Sequence, residues 1–181
     1  MDLDLLPIGW VHFVASLIAI GIAALVLLQP KGTPVHRLRG RAYVLAVLVT
    51  SITALGITRL GYFFFPHWFA IAALIAITVG FAAAHFKRPR SAWVHVHLTS
   101  MLVSCYILIG GGVNEVFLRI DALRKLAPRV DSPVVGWTHF TVMLVFAALI
   151  VAFNVAARKR SRAADAALAD PPHTGARTSL T

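Results

Sequence analysis

The stretch Pro66–Phe86, PHWFAIAALIAITVGFAAAHF, is apolar throughout but carries a histidine at each end, His67 and His85. Written as an α-helix with a rise of about 1.5 Å per residue, it sets those imidazoles about 27 Å apart, close to the roughly 30 Å hydrocarbon core of a bilayer. Eighteen steps of about 100° return to the starting azimuth, so both rings leave one side of the helix, and that side is expected to face protein. The segment reads as a membrane span with one histidine near each surface.

The whole chain agrees with that reading. Of its 181 residues 59% are hydrophobic and 13% charged, with a mean hydropathy of +0.79, which excludes a soluble domain with a solvated surface. Five apolar spans are expected in one domain, at about 8–28, 40–60, 66–86, 91–113 and 134–157, so the fold class is an all-α integral membrane bundle. Thr33-Pro34 and Ser132-Pro133 read as N-cap plus first helical residue, and Ser91 as the cap of the fourth span. Between Val113 and Ala127, apolar Val116, Phe117, Ile120 and Leu123 alternate at helical spacing with Arg119, Asp121, Arg124 and Lys125. A short interfacial helix is expected there, between the fourth and fifth spans. Residues 158–181 have no large apolar face and are expected to form a disordered tail, His173 included. Met1–Leu6 has Asp2 and Asp4 but no basic residue, unlike a cleavable signal, and is expected to stay attached. Cys105 is the only cysteine, so there is no disulfide framework, and it reads as a small packing residue.

With five spans, the basic residues sort by side. The N-terminus, the second-to-third turn and the fourth-to-fifth segment hold Arg59, Arg119, Arg124, Lys125 and Arg129 against five carboxylates. The other side holds the remaining twelve Lys and Arg against Asp165 and Asp170, so the formal charge of +10 lies there. The positive-inside rule makes that side cytoplasmic, with the N-terminus outside and the C-terminus inside. Topology and anionic headgroups thus account for the charge without nucleic acid; Arg37, Arg39 and Arg41 are the candidate contacts to headgroups or an anionic ligand.

The same topology divides the histidines into two layers. His12, His67 and His139, with Glu115, form a candidate outer cluster; His36, His85 and His97 form a candidate cytoplasmic one, with His95 turned about 200° away from His97. His97 and Glu115, again eighteen residues apart, are expected to share an inward stripe with Met101 and Ser104. Imidazoles from several helices at one depth are a ligand set for zinc, copper, iron or haem b. The bland alternatives are amphipathic anchors at the interface and, for Glu115, an ion pair with Arg119 four residues on. The leading expectation is a histidine-ligated haem or metal protein in membrane electron transfer. Alternatives are a proton-coupled small-molecule transporter, a zinc-dependent membrane hydrolase with Glu115 as base, and a structural or assembly subunit. Expected partners are the lipid bilayer, a quinone or other redox partner, and further copies in a homo-oligomer.

The runs HRLRGRAY, His36–Tyr43, and HLTSMLVSCY, His97–Tyr106, resemble those of an uncharacterised bacterial family of predicted multi-pass membrane proteins, the domain of unknown function 2306. The resemblance rests on His12, His36, Arg37, Gly40, His97 and Met101 and covers most of Trp10–Ala157. It implies a membrane fold in the bacterial plasma (inner) membrane and carries no activity across.

Overall fold

The structure, a computed structural model, describes residues 7–57, 65–127 and 132–169. Six helices run in order: α1 Pro7–Leu28, α2 Pro34–Gly56, α3 Phe65–Phe86, α4 Trp93–Arg119, α5 Asp121–Leu126 and α6 Pro133–Ala169, with no strand among the described residues. Five of them are long and apolar enough to cross a membrane. Their outward faces are greasy: Val11, Val14, Leu17 and Leu25 on α1 and Phe140, Leu144, Val151 and Val155 on α6 are exposed in the isolated chain. Such a surface is stable in lipid and not in water, so the chain is a membrane protein.

Each boundary has a local cause. At the start of α2 the Thr33 side chain accepts a hydrogen bond from the His36 amide at 3.1 Å with Pro34 in the first turn, as the Thr-Pro pair predicts. Lys87, with φ of 50°, takes a left-handed conformation that ends α3. The start of α4 departs from expectation: Ser91 does not cap it, and Ala92 holds that position without a side-chain bond. Gly32, with φ of 81°, supplies the reversal between α1 and α2.

Three spans differ in length from the sequence reading. The second begins at Pro34 rather than about 40 and ends at Gly56. The fourth does not stop at 113: Val113–Arg119 continues α4, supported by the Glu115–Arg119 pair one turn apart, and the chain breaks only at Ile120. The interfacial helix shrinks accordingly to α5. The last helix continues twelve residues past 157 into the segment expected to be disordered, where RSRAADAALA is rich in alanine and favours a helix by propensity while residues 158–167 stay exposed. Met1–Leu6, Arg59 with Tyr62–Phe64, residues 128–131, and 170–181 with His173 lie outside the described residues.

Packing follows an up-and-down order. α1, α2, α3 and α4 form a ring in which each packs on the next and α4 closes back on α1, while α6 lies against the outside of α4. Neighbours are antiparallel, so α2 and α4 are diagonal and parallel. Their register is constant: His36 meets His97, and Tyr43 meets Ser104, each pair 61 residues apart. Small residues let the backbones approach, with Ala19, Ala23 and Ala73 buried beside Val47, Ile77, Leu102 and Leu108. The α1–α2 and α3–α4 connections share one end with Lys31, Arg39 and the 87–90 turn; we call it the basic end.

Candidate functional site

At the basic end, the α2–α4 diagonal brings two of the expected ligands together. The His36 and His97 rings have centroids 6.5 Å apart and planes at 86°. The His97 Nδ1 lies 2.8 Å from the Gly80 carbonyl on α3. A carbonyl only accepts, so Nδ1 carries the proton and neutral His97 keeps its lone pair on Nε2. This orienting bond is the kind that ligating histidines make through their second nitrogen.

His36 is set differently. Arg39 donates from Nη1 to the Gln29 Oε1 at 2.8 Å, and the Gln29 Nε2 lies 3.3 Å from the His36 Nδ1. Beside them Lys31 folds back under α1. Its ammonium donates to the carbonyls of Val26 at 2.6 Å and Leu27 at 2.7 Å and stands 5.3 Å from the Phe153 ring centroid of α6. Burial lowers the Lys31 pKa from its ordinary value. Arg37 and Arg41 are exposed, so of the three arginines only Arg39 turns into the cluster.

His85, expected to join this layer, does not. The antiparallel register that sets His97 against Gly80 puts residue 85 level with residue 92, where α4 is only beginning. His85 is exposed there and stacks on Phe81 at 5.8 Å, with Phe86 edge-on at 4.8 Å. The expectation that both ends of the third span face protein therefore holds for His67, which is 1% exposed, and fails for His85. His95 faces away from His97 as its azimuth requires. It meets Asn154 of α6 at 2.6 Å, and Asn154 in turn donates to the Ile150 carbonyl at 2.8 Å.

The other end keeps its histidines apart. The His12 Nδ1 donates to the Thr50 carbonyl of α2 at 2.9 Å, pinning α1 to α2. His139 donates from Nε2 to Asn114 of α4 at 2.9 Å and packs over Gly110, where an added Cβ would sit 3.7 Å from the ring. Glu115 does not extend the inward stripe of His97, Met101 and Ser104. It pairs with Arg119, its side chain 42% exposed, and the guanidinium lies over the Phe13 ring of α1 at 5.7 Å. Among the described residues no three His, Cys, Asp or Glu side chains form a group that would hold a metal ion. The set His12, His67, His139 and Glu115 is therefore not assembled: His12 is tied to Thr50, His139 to Asn114 and Glu115 to Arg119.

Between the two ends lies a polar layer of which the sequence reading placed only Ser104 inward. The buried Tyr43 hydroxyl is 2.9 Å from the Ser104 Oγ and accepts from the Cys105 Sγ at 3.2 Å. Gln29, Lys31, Gly80 and Asn154 were also missed as site residues. A seven-residue step from His36 to Tyr43, matched by one from His97 to Ser104, was the signal available for Tyr43; the other four reveal themselves only once the helices are packed. No family model, curated protein or solved structure matches this chain.

Proposed function

We propose that the chain is a membrane haem protein that passes single electrons, with the iron held between His36 and His97. The observation that carries this is the pair itself: two imidazoles on diagonal helices, at one depth, with centroids 6.5 Å apart. Imidazoles that share a metal through nitrogen bonds of about 2.0–2.1 Å have centroids roughly 6 Å apart, so the spacing fits. Ligand number favours haem over zinc. A macrocycle brings four nitrogens and needs two from protein, whereas a zinc site needs three or four, and no third ligand joins this pair among the described residues. Arg39 adds a cationic partner for a carboxylate at the same end.

Bound there, haem iron supplies one-electron chemistry. The chain itself orients His97 through the Gly80 carbonyl and surrounds the pair with helices whose outer faces are lipid-compatible. The charge distribution favours a cytoplasmic basic end, and the family resemblance favours a bacterial plasma membrane. A quinone or another redox carrier is the partner such a site would serve. A proton-coupled carrier is the second reading, favoured by one feature: the bonds at Nδ1 leave the uncharged forms of His36 and His97 with a proton and a lone pair, respectively, on Nε2.

Purified full-length protein, titrated with hemin in detergent and analysed for metals, separates these. The haem reading expects a Soret band that His36→Ala and His97→Ala each abolish and that His12→Ala and His139→Ala leave in place. No Soret band in the wild type, or one indifferent to both inner histidines, overturns it.

A further inference from the structure

The hydrogen bonds around His36 leave its proton on the wrong nitrogen for ligation. A guanidinium has donors and no acceptor, so the Gln29 carboxamide must turn its oxygen toward Arg39. Its NH2 then faces the His36 Nδ1, and since an NH2 only donates, Nδ1 must be the bare nitrogen. Neutral His36 thus carries its proton on Nε2, while His97, fixed by Gly80, carries its own on Nδ1. An iron held through both Nε2 atoms needs a lone pair on each, and His36 offers none in this state.

We infer that Arg39, acting through Gln29, is a latch that holds His36 in its non-ligating tautomer, and that a carboxylate on the incoming ligand opens it. The inference rests on the haem reading of this site for its ligand, but the latch itself is a property of the empty protein. A carboxylate competes for the Arg39 guanidinium by a bond between two ions, stronger than the one in which the uncharged Gln29 oxygen is the acceptor. Released from Arg39, the carboxamide turns. Its oxygen then accepts from Nδ1–H, the Nε2 proton passes to solvent as Nδ1 takes one up, and the ring stays neutral throughout. Beside His36, Lys31 is committed to three backbone carbonyls and His97 to the Gly80 carbonyl. Among the described residues bonded to Gln29, Arg39 is therefore the cation that can change partner without uncapping α1. It is a positioning residue, not a ligand.

Two measurements test the latch. Nitrogen NMR of histidine-labelled, haem-free protein above neutral pH reads the tautomer directly. The latch expects Nε2–H at His36 in the wild type and Nδ1–H in Gln29→Glu, whose carboxylate can only accept. Hemin titrations then read the trigger. Wild type is expected to bind hemin at least about tenfold more tightly than hemin dimethyl ester, which has no free carboxylate, and Arg39→Leu is expected to erase that difference. Nδ1–H at His36 in the wild type overturns the latch, as does equal binding of acid and ester by the wild type. If the NMR result holds while neither compound binds, the latch stands and the haem reading falls.

Discussion

A histidine in an apolar helix is defined by whatever meets its first nitrogen. The Gly80 carbonyl makes His97 an acceptor at Nε2, the Thr50 carbonyl does the same for His12, and Gln29 makes His36 a donor. Gly80 also makes room, because a Cβ there would sit 2.9 Å from the Met101 Sδ and 3.2 Å from the Ser100 Cβ. Gly80→Ala is expected to cost about 1–2 kcal/mol, seen as a lower denaturation midpoint in detergent, and to loosen the His97 anchor. A midpoint equal to wild type would mean that α3 and α4 are further apart than described. His36 and His97 were grouped, together with His85, by helix topology, while the Glu115–Arg119 pair, weighed as the bland alternative, was legible from its four-residue spacing. Other partners were not: eighteen residues correctly return to one azimuth, yet His67 is buried and His85 is not, because azimuth does not say how far the neighbouring helix extends.

The elements show where local signals suffice and where they mislead. Thr33-Pro34 set the start of α2 because both the cap and the first turn are local chemistry. The end of α4 was misjudged at 113: the helix runs on through Gly110–Gly112 to Arg119, and the His139 ring stands 3.7 Å from where a Cβ on Gly110 would sit. Lys31 closes α1 from outside the helix, its ammonium satisfying carbonyls that have no amide partner left. Lys31→Met should therefore destabilise the bundle by about 1 kcal/mol near neutral pH, measured by thermal or denaturant unfolding. The sign of its pH dependence follows from burial. The folded pKa lies below 10.5, so between the two values the unfolded chain binds more protons and wild-type stability rises with pH relative to the variant. A gap that narrows over that window would contradict the buried ammonium.

For the molecule as a whole, five crossings were readable because a bilayer demands apolar rods of about 20 residues, and nothing in a soluble fold mimics that composition. The diagonal was not readable. Sequence order says that neighbours are antiparallel, but only packing decides that α2 and α4 meet across the ring in a fixed register, pairing His36 with His97 and Tyr43 with Ser104. The same packing dissolves the opposite-end cluster by tying His12 to α2 and His139 to α4. The proposed site therefore lies at the basic end, where two imidazoles from diagonal helices stand with planes at 86°. Electron paramagnetic resonance of the hemin-loaded ferric protein tests that most directly. The account predicts a low-spin signal of the near-perpendicular bis-imidazole type that turns high-spin in both His36→Ala and His97→Ala; a high-spin wild type, or a low-spin signal that neither substitution alters, would contradict it.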